Sequence, residues 1–299
     1  MTQQPTLFNW LSVAALGLIW GATFMVVAIA LEGYGPLTVA CARTTLGAIA
    51  LLALMRVLNR PLPKLSGRLI YFLVIIGLLN SALPFTLLSW GQQFVPSAFA
   101  GIAMAAVSLF VLPLAHVFSD EPLTLRNGLG VVMGFVGATI LIGPGVLRIG
   151  TGLEPWGQIA CLGAALSYAV ASIMTRRCPT IDPIAMATAV LVVGSVALVP
   201  AMIMFEGVPV VADLRPTVAI VVLGLIPTGL AAWLRISTIR SAGSVFMAPV
   251  GFQVPVWAMI FGALVLNEAL PLRFFVALGL ILTGLAISQW ANLRKIIRG

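Results

Sequence analysis

The chain has 299 residues, of which 61% are hydrophobic and only 8% are charged, and its formal net charge is +8. Soluble domains carry about a quarter charged residues, so this composition excludes a soluble globular protein, and lipid must face most of the chain. The basic residues form no long run, so the positive charge does not indicate a nucleic-acid-binding protein. A bilayer core needs about 20 apolar residues per helix, so with short linkers the length predicts roughly ten spans.

Ten apolar stretches follow one another, separated by short linkers rich in Pro, Gly or charge. They lie at 9–31, 36–57, 69–91, 97–119, 124–143, 155–176, 183–205, 215–236, 243–265 and 270–291. Residues 1–8 contain no Lys or Arg, and the first stretch is long enough to span. We therefore expect a permanent first helix rather than a cleaved signal peptide.

The basic residues predict the orientation in the membrane. With the N-terminus in the cytoplasm, 12 of the 16 basic residues lie in cytoplasmic linkers, 3 lie outside, and Arg43 lies within the second span. The cytoplasmic set is Arg56, Arg60, Lys64, Arg68, Arg126, Arg176, Arg177, Arg235, Arg240, Arg294, Lys295 and Arg298, and the external set is Arg148, Arg215 and Arg273. Because cytoplasmic loops carry an excess of Lys and Arg, we expect both termini in the cytoplasm.

The chain repeats itself at an offset of about 147 residues. The sequence EPLTLR at 121–126 recurs as EALPLR at 268–273, and Gly137 matches Gly284. Further matched pairs are Pro36 and Pro183, Trp20 and Tyr168, Pro84 and Pro227, and Trp90 and Trp233. The repeats, 1–147 and 148–299, hold five spans each. Five is odd, so the second repeat enters the membrane inverted, an arrangement typical of transporters.

These repeated turns, together with the opening LIWGATF at 18–24, resemble the EamA-type members of the drug/metabolite transporter superfamily, and most closely the YddG type of aromatic amino acid and metabolite exporter. The resemblance covers essentially the whole chain. It implies an all-α integral membrane protein of ten helices, built as two inverted five-helix repeats around a central cavity lined mainly by helices 1, 3, 4, 6, 8 and 9. It also implies export of amino acids or related metabolites from the bacterial cytoplasm across the inner membrane.

An amino acid substrate needs apolar walls for its side chain and polar partners for its charged groups. Polar residues in lipid are costly unless they face protein or a water-filled cavity, which makes Asn80, Ser81 and Gln253 candidate cavity residues. The candidate aromatic walls are Trp20, Tyr168, Phe85, Phe252 and Trp257. The alternatives are hydrogen bonds between helices for the polar residues and core packing for the aromatic ones.

Four prolines within spans are candidate hinges, because proline removes a backbone hydrogen bond and kinks a helix. They are Pro84, Pro227, Pro113 and Pro255. Carbonyls exposed at such kinks could meet a substrate ammonium, and the alternative is a static kink. The Gly17/Gly21 and Gly130/Gly134 pairs are expected to let helices approach closely.

Arg43 is the clear intramembrane charge in the sequence. We expect it to snorkel to the outer surface or pair with helix-end carbonyls; the alternative is that it binds a substrate carboxylate. Glu121 and Glu268 are interpreted as structural, because a carboxylate at a helix start favours the helix dipole. Cys41, Cys161 and Cys178 are too far apart for a metal site, and no cofactor or metal is predicted.

Several motifs are absent from the sequence. There is no Walker sequence for nucleotide hydrolysis and no acidic residue deep in a span, which favours passive or exchange transport over proton coupling. A nucleotide-sugar or other metabolite antiporter remains an alternative, but it should have paired basic residues, and only Arg43 is available. A membrane-embedded enzyme would depend on His116 and Asp120 as a general-base pair. The predicted partners are a small-molecule substrate and the bilayer, and the oligomeric state stays open.

Overall fold

The computed structural model describes residues 6–119, 124–143 and 152–297. Within these residues, ten helices are long and apolar enough to cross a membrane, which confirms the predicted all-α membrane fold. They are α1 (Leu7–Leu31), α2 (Pro36–Val57), α3 (Gly67–Gly91), α4 (Ser97–Phe118), α5 (Leu125–Ile142), α6 (Glu154–Arg177), α7 (Pro183–Phe205), α8 (Leu214–Ala242), α9 (Val245–Val265) and α10 (Leu272–Trp290). Glu121, Asp120 and Arg148 lie outside the described residues.

Local sequence sets the helix ends. Pro36 and Pro183 occupy the first turns of α2 and α7, where the missing N–H costs nothing. The Asp182 carboxylate accepts from the first N–H groups of α7. The predicted end of α8 at residue 236 is wrong, because the helix continues to Ala242 and stops where Gly243 takes a φ of 87°, a conformation that glycine adopts without strain.

We call the membrane face at which α1 begins the N-side and the opposite face the far side. Asn9 near the start of α1 donates to Ser241 at the end of α8, so these two ends share the N-side. At the far side, Tyr34 after α1 bonds Thr217 near the start of α8. α1 and α8 therefore run in opposite directions.

The helices pack in a small number of close pairs. α5 lies along α10, α1 along α9, α2 along α7, and α6 contacts both α3 and α4. Small residues allow these approaches, as predicted: a Cβ at Gly17 would meet Gln253 at 2.6 Å, and one at Gly130 would meet the Gly284 carbonyl at 2.5 Å. Backbones that approach this closely gain van der Waals contact that lipid cannot supply.

Two of the long helices contain a π-helical segment, at Leu78–Ala82 in α3 and Gly224–Leu230 in α8. Pro84 follows the first segment directly, and Pro227 lies within the second. A π-helical turn widens the helix, leaves carbonyls without their usual partners and is frequent at functional sites. The proline pattern predicted a disturbance here but not its π-helical form.

Candidate functional site

A buried cation and two aromatic rings meet inside the bundle. The guanidinium of Arg43 on α2 lies 3.8 Å from the ring centroid of Phe85 on α3, and Tyr168 on α6 is close enough to interact with it electrostatically. A guanidinium over an aromatic face is attracted by the ring quadrupole. We call Arg43, Phe85 and Tyr168 the central cluster.

Arg43 does not snorkel, so that expectation was wrong. Arg43 is only 5% exposed, because its side chain extends towards α3 and α6 and not towards the membrane surface. Its Nε is buried without a hydrogen-bond partner, which in general costs about 1–3 kcal/mol and more for a charged group. The Phe85 ring offsets part of this cost but supplies no acceptor.

The neighbouring polar candidates Asn80 and Ser81 have different environments. Ser81 is fully buried and donates to the carbonyls of Gly77 and, on α7, Val190. Asn80 is exposed and makes no hydrogen bond with another described residue. It lies in the π-helical segment of α3, between the exposed apolar residues Leu78 and Leu83. Asn80 therefore presents a free amide near the middle of α3.

Trp20 on α1 reaches α8. Its indole N–H donates to the Pro227 carbonyl at 3.1 Å, within the π-helical segment of α8. The carbonyl of Leu223, which would normally bond the N–H that Pro227 lacks, accepts instead from the Thr228 hydroxyl. This kink is thus satisfied by protein groups, and its Leu223 carbonyl is not left for a substrate.

In α3 a carbonyl of the π-helical segment also accepts a hydrogen bond from a side-chain hydroxyl. The Leu79 carbonyl accepts from the Ser167 hydroxyl of α6 at 2.7 Å. The hydroxyl joins α6 to the π-helical segment one residue before the free amide of Asn80. Both π-helical segments are therefore held by a polar group from a neighbouring helix, α6 for α3 and α1 for α8.

The candidates on α9 pack against α1. A Cβ at Gly17 would overlap the Gln253 side chain, and one at Gly21 would overlap Trp257, so both side chains lie over the glycine face of α1. The Gln253 amide makes one long bond of 3.4 Å to its own helix, at the Pro249 carbonyl. Phe252 is half-buried. The remaining candidate hinges, Pro113 and Pro255, lie inside α4 and α9.

Arg235 is a functional candidate that sequence reasoning missed, because the predicted helix stopped one residue beyond it. It lies within α8, two turns before the N-side end. Arg235 is exposed.

The helix face of Arg235 points into the bundle. Ala231 on one side of it packs with α1 and α9, and Ile236 on the other packs with the cluster of Met55 and Ile184 on α2 and α7. Leu230, 44% exposed, marks the lipid face of α8, about 140° around the helix from Arg235. Arg235 is thus directed between its neighbouring helices, towards the N-side half of the interior.

Polar contacts join the helices at the far side. The Gln92 amide of the α3 end donates to the Phe24 carbonyl on α1. The carboxylate of Glu268 accepts from the backbone N–H groups of Ser97 and Ala98. Glu268 is therefore structural, as predicted, but it caps α4 rather than its own helix α10.

The N-side has its own charge cluster. Asp182 accepts from Arg240 at 2.8 Å and lies 3.8 Å from Arg60. Burial raises the pKa of the Asp182 carboxyl, but hydrogen bonds from Arg240 and from the backbone of Ala185 and Ile184 outweigh that effect and hold the pKa below its usual value. The ion pairs join the ends of α2, α7 and α8.

The candidates for catalysis and metal binding are His, Cys, Asp and Glu side chains. Within the described residues no group of three His, Cys, Asp or Glu could hold a metal ion, and His116 is exposed at the N-side end of α4. Its proposed partner Asp120 lies outside the described residues.

Comparison with known proteins gives consistent results. An "Uncharacterized transporter YoaV" of Bacillus subtilis is 26% identical, covering 95% of this chain and 98% of its own. The "Uncharacterized inner membrane transporter YedA" of Escherichia coli K12 is 29% identical, covering 89% and 86%. A "Probable terminal-alkyne amino-acid exporter" of Streptantibioticus cattleyicolor is 27% identical, covering 77% and 78%.

A solved crystal structure of a protein shares the fold, with a TM-score of 0.67 at 18% identity, covering 96% of this chain and 98% of that one. The EamA-like transporter family matches the chain twice, at residues 8–143 and 155–289. These matches take in most of the ten-helix architecture and both π-helical segments. The chain belongs to the EamA-like transporter family.

Proposed function

We propose that this transporter exports amino acids with aromatic or hydrophobic side chains, and related small metabolites, by alternating access and without an ion gradient. The main support is the central cluster, together with the exposed and unbonded amide of Asn80 on α3. Aromatic rings suit an apolar side chain, and the cation and amide suit its polar end. A relative described as an amino-acid exporter supports the substrate class.

Two inverted repeats provide the alternating halves. The family matches once in each half of the chain, and the contacts of the last helices are reciprocal. A Cβ at Gly137 would meet the Ala277 carbonyl and Ile281. A Cβ at Gly284 would meet the Gly130 carbonyl and Gly134. If 147 is added to the residue number on α5 and subtracted from the residue numbers on α10, the first set of contacts becomes the second. A twofold axis in the membrane plane produces this correspondence.

The N-side is the cytoplasmic face in this proposal. Arg60 and Arg240 lie there, in accord with the positive-inside rule, and a relative is described as an inner membrane transporter. A green fluorescent protein fused after residue 299 is expected to fluoresce, and alkaline phosphatase fused at the same place to be inactive. The opposite pair of results would overturn the proposed orientation.

Transport without proton coupling is supported by the charge distribution. Within the described spans, the acidic residue is Glu154, the first residue of α6. Proton-coupled carriers generally use a carboxylate deep in a span. Exchange or facilitated transport therefore fits the described spans better.

A second candidate, an antiporter of anionic metabolites such as nucleotide sugars, is favoured by one observation. Arg235 within α8 adds an interior cation to Arg43, and paired cations are what such a substrate requires. The membrane-enzyme alternative has no comparable support, because the relatives are described as transporters.

Counterflow in proteoliposomes tests both candidates. Vesicles are loaded with unlabelled phenylalanine, tryptophan, threonine or a nucleotide sugar, and uptake of the matching labelled compound is followed with and without a pH gradient. Accumulation of the aromatic amino acids that is unaffected by the gradient is expected. Exchange of the nucleotide sugar alone would overturn the proposed substrate class in favour of the second candidate.

Variants locate the site. Asn80→Ala is expected to raise the half-saturating phenylalanine concentration several-fold, because a polar partner of the substrate is lost. Gln253→Ala tests the α9 candidate in the same way, and unchanged transport would make Gln253 a packing residue. Thr283→Ala is the control, since that exposed hydroxyl bonds only its own helix α10.

A further inference from the structure

The guanidinium of Arg43 has no hydrogen-bond or ion-pair partner among the described residues. Arg43 is 5% exposed, and its Nε is buried without an acceptor. Its two terminal nitrogens make no hydrogen bond or ion pair with the described residues. Unlike Nε, they are not fully buried. The face of the guanidinium lies against Phe85, and its two terminal nitrogens keep some accessible surface.

The missing partner is an anion. The described ion pairs lie at helix ends, where Asp182, Glu32 and Glu154 pair with arginines. The described spans contain no carboxylate beyond the first residue of α6. A buried charge is normally compensated by a paired charge and hydrogen bonds, so the cation of Arg43 calls for a negatively charged group that the described spans do not supply.

Arg43 and Arg235 lie at different levels of the bundle. Ile236, next to Arg235, packs with Met55, which lies three turns along α2 from Arg43. At 1.5 Å per residue this places the two arginines roughly 15 Å apart along the membrane normal. An amino acid carries one carboxylate, so in the proposed function a single guanidinium, that of Arg43, meets it. A monoanionic carboxylate fits one guanidinium, which binds it through two parallel hydrogen bonds.

The surroundings of Arg43 fit the rest of such a molecule. Phe85 and Tyr168 provide aromatic surface beside the cation, and Asn80 lies about one turn closer to the N-side on α3. Arg235 lies nearer still to the N-side end and is accessible. A carboxylate that enters from the cytoplasm meets Arg235 first and the central cluster second.

We infer that the transported molecule is a carboxylate, that Arg43 binds its carboxylate group beside Phe85 and Tyr168, and that Arg235 is the cation that first receives it from the cytoplasmic side. This inference rests on the proposed function, because it names the group of the substrate that the same site recognises. It excludes amines and neutral amides as preferred substrates.

The test compares competitors of labelled phenylalanine counterflow that differ in one group. Phenylalaninamide lacks the carboxylate, 3-phenylpropanoate lacks the ammonium, and phenyl phosphate replaces the carboxylate by a phosphate. With the unmodified protein, 3-phenylpropanoate is expected to compete, and phenylalaninamide to compete at least tenfold more weakly than phenylalanine. Equal competition by phenylalaninamide, or stronger competition by phenyl phosphate, overturns the carboxylate inference and leaves the transport of amino acids intact.

Variants assign the recognition to Arg43. Arg43→Gln is expected to remove the preference for phenylalanine over phenylalaninamide, and Arg43→Lys to keep part of it. Arg235→Gln is expected to raise the half-saturating concentration on the cytoplasmic side with the preference unchanged. Arg215→Gln is the control, because that exposed residue pairs with Glu32 at the far side. A preference that survives in Arg43→Gln, or is lost in Arg235→Gln, overturns the assignment.

A binding measurement separates the two proposals. If no amino acid shows counterflow, the proposed function fails, and thermal stabilisation of the purified protein by 3-phenylpropanoate is then measured. Stabilisation that Arg43→Gln abolishes supports the carboxylate site without amino acid export. No stabilisation of the unmodified, correctly folded protein overturns the site as well, and size-exclusion profiles confirm the folding of each variant.

Discussion

The close crossing of α5 and α10 makes a sharp prediction for Gly284. A Cβ added there would lie 2.5 Å from the Gly130 carbonyl oxygen and 2.9 Å from the Gly134 nitrogen, whereas ordinary contacts begin at 3.4 Å. The atoms in the way belong to backbone, so no flexible side chain can move aside. The Gly284→Ala variant must therefore push the two helices apart by about 0.9 Å at this point.

Two opposing effects decide the sign of the change in stability. Replacing glycine by alanine inside a helix stabilises it by up to about 1 kcal/mol, while overpacking a tight contact costs about 1–3 kcal/mol. Gly279 on the same helix provides the matched control, since a Cβ there meets nothing within 4 Å. Gly279→Ala shows the first effect alone. We expect Gly284→Ala to be less stable than Gly279→Ala by about 1–3 kcal/mol.

Thermal unfolding of the purified variants in detergent, followed by the loss of the monodisperse size-exclusion peak, measures this difference. The melting temperature is expected to fall in the order Gly279→Ala, unmodified protein, Gly284→Ala. Equal melting temperatures for the two variants would refute the reasoning, because the α5–α10 crossing would then tolerate a methyl group between backbones.

Three further predictions concern hydrogen bonds between helices. The folded-state pKa of Asp182 lies below its usual value of 3.8. The stability that its carboxylate contributes is therefore present above pH 3.8 and is lost as the pH falls through the lower folded-state pKa. Melting temperatures measured from about pH 6 to about pH 3 should fall less steeply for Asp182→Asn than for the unmodified protein. Glu268→Ala should lower stability by about 1 kcal/mol through the loss of the cap on α4, while Glu32→Ala, in an exposed ion pair, should change it little in the same thermal assay. Trp20→Phe should cost about 1 kcal/mol because the Pro227 carbonyl loses its donor, and chemical denaturation that shows no loss would contradict the α1–α8 contact.

The sequence by itself was sufficient for the ten spans and for the family, because apolar length and composition report directly on the bilayer. The Gly17/Gly21 and Gly130/Gly134 pairs also predicted close helix contacts, which the structure confirms. The repeated turns also marked Glu268, which the structure shows to cap α4. These features can be read from the sequence because they depend on local composition or on matches between parts of the chain.

The tertiary structure decided what each interior polar group contacts. Arg43 lies against Phe85 rather than at the membrane surface, and Glu268 caps α4 rather than the helix that follows it. Arg235 became an interior residue because α8 runs six residues past its predicted end. The contacts of these side chains come from distant parts of the chain. Whether such a contact offsets the cost of desolvation depends on how the helices pack, and the hydropathy of one helix gives no information about that packing.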